Sequence, residues 1–376
     1  MQKHNKNRSY LLAVLCILIV ASVLVFYFYP TSDPNKLSEQ KEKGVNEKKQ
    51  NATETKNVIF LVLDGVGSKY LQSFDPTPLS YNGVSVEKAE LQNFFGLASA
   101  FAEVEQPFPE TTSAHSLYYI AGDCGREWGN IKECVDDGGL TTICDFYRSQ
   151  GYVCIMVSEA GDFKEARSEF DVVLYDYNFW DFQVELNSNS KEASEIASFL
   201  EKRKILADSK KSEAGLDGNS YIEYSNFIIE TDALLISFIK ENLPYAKFFL
   251  FSNAKGTDLC GHRLGVESYV ACIEGLNLEL QKLALLRDEN TALFVTADHG
   301  MAFDCLTCKG YHAKDQKSSF AIQIPLIFVG TEKFHLHNGT AYDIMPTVFS
   351  VSGFDYACSS MRYCKGSSLV VRGEGS

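Results

Sequence analysis

The apolar residues of the chain form one long run and several short ones. The long run, Tyr10–Tyr29, carries no charge, and its length of about twenty residues is that of a helix crossing a hydrocarbon core of ~30 Å. The short runs each have the length of a strand buried on both faces, and they are Val58–Leu63, Val153–Val157, Val172–Tyr175, Phe248–Ser252, Leu293–Thr296 and Leu326–Val329. The pattern predicts a membrane anchor followed by a covered β-sheet.

Segments with helical spacing alternate with the short runs. They are Ser113–Ile120, Thr141–Gln150, Glu192–Ala207, Tyr221–Glu241, Glu267–Leu286 and Tyr342–Val351. This alternation predicts an α/β fold, with a mostly parallel sheet covered by helices on both faces. In such a sheet, ligands bind in the crevice at the carboxyl ends of the strands.

The first 56 residues predict a type II, single-pass membrane protein. Residues 1–9 contain three basic residues and no acid, which places them in the cytosol by the positive-inside rule. Residues 10–29 then form the transmembrane signal anchor, because a cleaved signal peptide would have a shorter apolar core and a small-residue cleavage site. Residues 30–56 are polar enough to form a flexible stalk. Residues 57–376 would form one ectodomain, outside the cell or in the lumen of the secretory pathway.

Charge and cysteine content fit an ectodomain. The formal net charge of −14 argues against a nucleic-acid polymer as partner. Of eleven cysteines, ten lie beyond the apolar run, which permits up to five disulfides in an oxidising compartment. The Cys305-x-x-Cys308 pair has a redox or zinc motif as its alternative interpretation. Asn51 and Asn338 begin glycosylation sequons on the outer side.

Several acids, hydroxyls and histidines fall where this fold would place a site. Asp64 ends the first strand run and is followed by Gly65, although a strand-end aspartate is more often a turn residue. Hydroxyls precede a helical segment in Pro109-Glu-Thr-Thr-Ser-Ala-His115, where an ordinary helix cap is the simpler interpretation. Asp258-Leu-Cys-Gly-His262, Asp298-His299-Gly-Met and Gly310-Tyr-His312 supply carboxylate and imidazole groups that suit Zn²⁺.

The order of these motifs resembles the alkaline phosphatase superfamily. The closest likeness is to its nucleotide pyrophosphatase/phosphodiesterase branch and to the catalytic domain of GPI ethanolamine-phosphate transferases. It extends from residue 58 to about residue 353 and includes Tyr342-Asp-Ile-Met-Pro-Thr347, which is similar to a late helix of the family. Each motif alone is weakly specific, whereas five in the same order are a strong signal.

The resemblance implies two zinc ions and a threonine nucleophile. One zinc would be held by Asp258, His262 and His312, and the other by Asp64, Asp298, His299 and the nucleophile. Two Zn²⁺ ions against three carboxylates leave a net charge of +1, which suits an anionic phosphoryl group. The threonine would form a phospho-threonine intermediate that passes to water or to an acceptor alcohol.

The nucleophile is Thr111 or Thr112. Counting back four residues from His115 gives Thr111, whereas counting forward from Pro109 gives Thr112, because this motif is one residue shorter than the usual family form. Asn130 lies in a segment similar to the one where phosphodiesterase relatives place an asparagine on a phosphate oxygen. A loop-turn asparagine is its alternative interpretation.

The resulting hypothesis is a zinc-dependent phosphodiesterase-type hydrolase acting on a small-molecule, lipid or glycan phosphate ester. The alternative is a phosphoethanolamine-type headgroup transferase, although such transferases carry further membrane spans and no second long apolar run follows Tyr29. A sulfatase would need a Cys/Ser-x-Pro-x-Arg motif, which the sequence lacks. A non-catalytic binding ectodomain is disfavoured because all six metal ligands are present.

Overall fold

The computed structural model describes six parts of the chain, residues 56–107, 119–122, 141–159, 163–212, 214–312 and 318–372. The predicted cytoplasmic tail and anchor, and all but the last residue of the predicted stalk, lie outside them, as do Thr111, Thr112, His115 and Asn130. Among the described residues, no helix has the length and apolar character needed to cross a membrane. The first strand begins at Asn57.

Thirteen strands occur in the described part of the chain. In order they are β1 Asn57–Leu63, β2 Leu79–Tyr81, β3 Val84–Val86, β4 Ala100–Glu105, β5 Tyr152–Ser158, β6 Val172–Asp176, β7 Phe182–Leu186, β8 Lys247–Ala254, β9 Thr291–Thr296, β10 Gln323–Val329, β11 His335–Leu336, β12 Gly339–Thr340 and β13 Val370–Val371. Each of the six strand runs predicted from the sequence is a strand in the structure, and its ends differ from the predicted ends by only a few residues.

Nine of these strands form one mixed sheet in the order β12-β4-β10-β9-β1-β8-β5-β6-β7. The centre, from β9 to β6, is parallel throughout, with Val58 opposite Phe249 and Ile59 opposite Leu293. Strand β10 runs antiparallel to its neighbours β9 and β4, and β7 runs antiparallel to β6. The predicted mostly parallel sheet is therefore confirmed at its centre, and the antiparallel strands flank it.

The helices of the described chain connect and cover these strands. They are α1 Gln92–Phe95, α2 Ile143–Ser149, α3 Lys191–Lys210, α4 Gly218–Asn242, α5 Gly256–Arg263, α6 Val266–Glu274, α7 Asn277–Leu285, α8 Ser319–Ile322, α9 Ile344–Val351 and α10 Ala357–Ser360. Three short 3₁₀ turns occur at Ser68–Tyr70, Lys164–Glu169 and Ala341–Asp343.

Residues of β8 show that helices cover both faces of the sheet. Phe249 stacks on Tyr147 of α2 at a centroid distance of 4.8 Å. Ser252, three residues on and therefore on the opposite face, donates a hydrogen bond of 2.8 Å to Asp232 of α4. Strand β8 is buried except at its first residue, as expected for a strand covered on both sides.

The single helix predicted over Glu267–Leu286 is wrong, because two helices, α6 and α7, occupy that segment. The break falls at Gly275, the residue after α6. A Cβ atom at position 275 would lie 2.8 Å from the side chain of Ile222 on α4, so only glycine allows this close approach. The apolar spacing continues across the break, which is why the sequence pattern does not reveal it.

The described cysteines form three disulfides, and two cysteines are free thiols. The bonds join Cys260 to Cys272, Cys305 to Cys308 and Cys358 to Cys364. The Cys305-x-x-Cys308 pair is therefore a disulfide rather than a metal site. Cys144 and Cys154 are buried and free, so the upper limit of five disulfides is not reached.

Asp232 is a buried acid whose replacement is expected to stabilise the fold. Its side chain is fully buried on α4, and this burial raises the pKa of its carboxyl group well above the ordinary value. A raised pKa means that stability falls as the pH rises above the unfolded-state pKa. We expect Asp232→Asn to increase the free energy of unfolding at pH 8 by on the order of 1 kcal/mol, because the amide keeps an acceptor for Ser252 and removes the cost of a buried charge.

Thermal or denaturant unfolding at pH 8 and at pH 4.5 tests this expectation, and the advantage of the variant should shrink at the lower pH. Asp217 is the matched control, since it is exposed at the start of the same helix and its pKa is lowered by the backbone N–H of Ser220. Asp217→Asn should bring no gain. An effect of Asp232→Asn that is destabilising, or equal at both pH values, would contradict the account.

Candidate metal centre

Three neighbouring strands of the parallel centre bring three acids to one edge of the sheet. Asp64 follows the last residue of β1, and Asp298 comes two residues after β9. Asp258 lies in α5, which begins two residues after β8. Because β9, β1 and β8 are adjacent and parallel, their carboxyl ends meet at the same edge. All three side chains are almost fully buried, at 0%, 0% and 4% exposed for Asp64, Asp298 and Asp258.

Three histidines face these acids. His299 Nε2 lies 3.6 Å from both Asp64 Oδ1 and Asp298 Oδ2, and 3.9 Å from Asp258 Oδ1. His262 Nε2 is 3.1 Å from Asp258 Oδ1 and also 3.1 Å from His312 Nε2. Apart from the threonine, the sequence suggests six zinc ligands. The structure brings all six together.

The arrangement divides into two overlapping groups of ligand atoms. In one group, the ligand atoms of Asp64, Asp298 and His299 lie within 4.8 Å of one another, which is the trio expected for one of the ions. In the other, the atoms of Asp258, His299 and His312 meet the same limit. The resemblance placed His262 rather than His299 with Asp258 and His312, and His262 contacts both of those residues at 3.1 Å.

Backbone contacts orient two of the imidazole rings. His299 Nδ1 is 2.9 Å from the carbonyl oxygen of Gly300, and His262 Nδ1 is 3.1 Å from the carbonyl oxygen of Gly310. When Nδ1–H donates to a carbonyl, the lone pair on Nε2 is left for a cation. In both rings Nε2 is the atom that faces the acids. This donor set of carboxylate oxygens and imidazole nitrogens fits a zinc-type ion.

The electrostatics of Asp258 and His262 are coupled. Burial alone would raise the pKa of Asp258, but its hydrogen bond with His262 and the charge of His299 outweigh burial and hold that pKa below the ordinary value. The same hydrogen bond raises the pKa of His262. A divalent cation would replace the shared proton, which is the behaviour expected of ligands that bind metal in their deprotonated form.

Local sequence explains why Asp64 turns into the site. Gly65 has a φ of +78°, a conformation that L side chains rarely adopt, and a Cβ atom there would lie 3.0 Å from Cα of Asp258. Its N–H donates a hydrogen bond of 3.0 Å to Asp298 Oδ1, and its carbonyl accepts one from the hydroxyl of Tyr269. The turn after β1 is thus hydrogen-bonded to Asp298 and lies close to the backbone of Asp258.

Helix α5 presents Asp258 and His262 on one face, because residues four apart lie one above the other on a helix. The helix begins at Gly256, where a Cβ atom would lie 2.0 Å from the carbonyl oxygen of Tyr221. Gly261 allows a second close approach, since its Cβ would lie 2.7 Å from Met301. The Asp-x-x-x-His spacing is compatible with one helix face, but the sequence alone does not show that this segment is helical.

Three further residues at this edge do not follow from the sequence pattern. Lys255 Nζ lies 4.0 Å from Asp64 Oδ2 and adds positive charge beside the acids. Glu159, at the end of β5, is fully buried and accepts the backbone N–H of Lys255, and burial raises its pKa well above the ordinary value. Tyr269 contacts the turn after Asp64 from α6. Each depends on contacts between segments far apart in the chain.

The chain matches a family model and several known proteins. The model described as the Metalloenzyme superfamily matches residues 229–356, which contain five of the six clustered residues. A 2,3-bisphosphoglycerate-independent phosphoglycerate mutase from Metamycoplasma hominis is 28% identical over 156 residues, covering 40% of this chain and 28% of the mutase. The chain thus spans less than a third of the length of that relative.

Two solved structures share most of the described chain. A protein described as a sulfatase from Bacteroides fragilis superposes with a TM-score of 0.51 and 13% identity, covering 85% of this chain and 79% of its own. An alkaline phosphatase from the Antarctic bacterium TAB5 has a TM-score of 0.46 and 13% identity, covering 80% of this chain and 99% of its own. At such identities the likeness to the first of these concerns the fold alone. The family model over residues 229–356 supports the resemblance to the alkaline phosphatase-like superfamily that the order of the site motifs indicates.

Proposed function

We propose that this chain is a zinc-dependent hydrolase of phosphate esters, of the phosphodiesterase type. The observation that carries the proposal is the convergence of Asp64, Asp258, His262, Asp298, His299 and His312 at the carboxyl edge of three parallel strands. Three carboxylates and three imidazoles suit two Zn²⁺ ions with a residual positive charge. When bound, zinc supplies charge that attracts phosphoryl oxygens and lowers the pKa of a coordinated hydroxyl group.

Residues of the chain would hold the two zinc ions and offset part of the acidic charge at the site. Asp64, Asp298 and His299 would bind one ion, while Asp258, His262 and His312 would bind the other. Lys255 adds a cation at 4.0 Å from Asp64 Oδ2, where it offsets part of the acidic charge. The hydrogen bonds that link Gly65 to Asp298 and to Tyr269 keep the first acid in place.

The proposed reaction proceeds in two displacements at phosphorus. The hydroxyl oxygen of Thr111 or Thr112 forms a bond to phosphorus while the bond to the leaving alcohol breaks, and the alcohol leaves with a proton. Water then forms a bond to the same phosphorus, the bond to the threonine oxygen breaks, and the threonine regains its proton. The sum is one ester and one water giving one phosphate product and one alcohol. Asn130 would hydrogen-bond a phosphate oxygen.

Phosphate is favoured over sulfate by the nucleophile segment. A sulfatase nucleophile is generated from a cysteine or serine in a Cys/Ser-x-Pro-x-Arg motif, and residues 107–115 read PFPETTSAH. The likeness to a sulfatase structure concerns the fold and carries no preference for sulfate. An ectodomain anchored by residues 10–29 would meet its substrate, a small-molecule, lipid or glycan ester, outside the cytosol.

Hydrolysis by the purified full-length chain in detergent, loaded with zinc, tests the proposal. Three substrates with the same chromophore are compared: bis(4-nitrophenyl) phosphate, 4-nitrophenyl phosphate and 4-nitrophenyl sulfate. We expect the diester to have the highest kcat/KM and the sulfate to be a poor substrate. Preference for sulfate would overturn the proposal. Release of phosphoryl groups only when an alcohol acceptor is added would instead support the transferase alternative.

A further inference from the structure

A cavity of about 320 Å³ lies beside the metal centre. Lys255 lines it and also approaches Asp64 Oδ2 at 4.0 Å, so the cavity and the centre share a wall. Helix α4 and helix α5, which carries Asp258 and His262, contribute other walls. A molecule whose phosphoryl group sat at the centre could therefore place its remaining part here.

The apolar lining of the cavity is mainly aromatic. Phe179 lies in the loop between β6 and β7, and its ring centroid is 4.7 Å from that of Tyr224 and 5.8 Å from that of Tyr221. Leu216 and Leu259 complete the apolar lining. Aromatic walls of this kind favour a flat apolar group over a flexible polar one.

The loop that presents Phe179 is built around one acid. Phe179 and Trp180 have φ values of +39° and +70°, conformations that non-glycine residues rarely adopt. The carboxylate of Asp176 accepts hydrogen bonds from the backbone N–H groups of Asn178, Trp180 and Asp181 and from the hydroxyl of Tyr224. The surrounding structure thus holds a strained segment in place, as is typical of binding sites.

Two polar groups in the lining of the cavity indicate which kind of ligand the cavity binds. Tyr221 is 1% exposed, and its hydroxyl has no hydrogen-bond partner in the part of the chain that the structure describes. Arg263 is exposed at the end of α5, its guanidinium carbon lies 5.9 Å from the Tyr221 ring centroid, and no ion pair to it occurs among the described residues. Among the residues that the structure describes, two cations and no acidic side chain line the cavity.

We propose that this cavity is the subsite for the part of the substrate beyond the scissile phosphoryl group, and that it selects a flat apolar body carrying a second anionic group. The proposal rests on the proposed hydrolase function. Arg263 recognises the second anion, since its planar guanidinium pairs with carboxylate or phosphate oxygens. Phe179 and Tyr221 contact the flat body. Arg263 is a specificity-determining residue and takes no part in the bond changes at phosphorus.

A matched pair of diesters tests the proposal. Methyl 4-carboxyphenyl phosphate and methyl 4-carbamoylphenyl phosphate differ in charge but little in shape, and both are offered to the zinc-loaded full-length chain. We expect Arg263→Gln to lower the carboxylate-to-carboxamide ratio of kcat/KM by about 10- to 100-fold. The carboxamide ester, which has no second anion, should lose much less activity than the carboxylate ester. Comparing ratios between variants cancels the different intrinsic reactivities of the two esters.

Controls separate charge recognition from damage to the fold. Arg263→Lys should retain part of the preference, and Arg372→Gln, at an exposed arginine paired with Asp355, should retain all of it. An equal ratio in the wild type and in Arg263→Gln would overturn the proposal.

A binding measurement keeps the subsite testable if no ester is cleaved. Calorimetry compares 4-carboxybenzylphosphonate with 4-carbamoylbenzylphosphonate, which cannot be hydrolysed. We expect the carboxylate compound to bind the wild type more tightly by about tenfold or more, and Arg263→Gln to remove that difference. If no ester is hydrolysed but the two phosphonates still differ in affinity, the result would count against the hydrolase function and not against the subsite. Equal binding of the two phosphonates would count against the subsite.

Discussion

Replacement of Asp298 by alanine is expected to remove bound zinc and to lower kcat/KM for the diester by at least about 10³-fold, equivalent to about 4 kcal/mol of transition-state stabilisation. Asp298 is fully buried, and its carboxylate lies 3.6 Å from His299 Nε2 and accepts the Gly65 N–H. Its loss removes a ligand and a contact that fixes the turn after Asp64. Zinc content by mass spectrometry and kcat/KM are measured on the same preparations.

The matched control for this variant is Asp355→Ala. Asp355 is 65% exposed by side chain and pairs only loosely with Arg372, at 3.8 Å. This control should keep the zinc content and activity of the wild type. If Asp298→Ala instead retained both zinc and activity while remaining folded, the metal centre would lie elsewhere, and the proposed function would lose its main support.

The second large effect is expected from the nucleophile. Of Thr111→Ala and Thr112→Ala, one should lower kcat for the diester on the order of 10⁴-fold and the other should have a small effect, because a single hydroxyl forms the bond to phosphorus. We expect the larger loss for Thr111, which lies four residues before His115. Neither variant should change zinc content as much as Asp298→Ala does.

Trapping the intermediate distinguishes the two threonines directly. Wild-type enzyme quenched in acid during turnover of the diester should carry one 4-nitrophenyl phosphoryl group, the part that remains after the first nitrophenol leaves, and mass spectrometry assigns it to a peptide and then to a residue. Thr77→Ala serves as the control and should behave as the wild type, because Thr77 is exposed and lies outside the nucleophile segment. Full activity in both Thr111→Ala and Thr112→Ala would rule out a threonine nucleophile in this segment.

Much of the site could be predicted because strand ends in a parallel sheet converge. Val58–Leu63 and Leu293–Thr296 are short apolar runs, and the acids that follow them, Asp64 and Asp298, necessarily meet at one edge once the strands are adjacent. The turn at Gly65 also follows from the sequence, since glycine is the residue that adopts its positive φ without strain.

Other parts depend on contacts that no local pattern contains. Helix α5 is short and lacks a strong apolar stripe, so Asp258 and His262 were predicted as ligands but not as neighbours on one helix face. Gly275, at the break between α6 and α7, lies so close to Ile222 on α4 that a Cβ atom there would be 2.8 Å away, a contact that the local sequence does not reveal. The cavity beside Lys255 brings together residues from three separate segments, and its lining is visible only after folding.

The antiparallel strands illustrate the same limit. The apolar run Leu326–Val329 predicts a buried strand, but burial on both faces is compatible with either direction. In the structure β10 runs antiparallel to β9, after a connection that contains Asp298, His299 and His312. The direction of this strand is therefore known only from the structure.

Titration of the chelated full-length chain with zinc, while hydrolysis of bis(4-nitrophenyl) phosphate is followed, tests the central claim most directly. The account predicts no activity in the chelated protein, a rise as zinc is added, and a plateau at two equivalents per chain. Hydrolysis at the same rate in the chelated and zinc-loaded protein would contradict it.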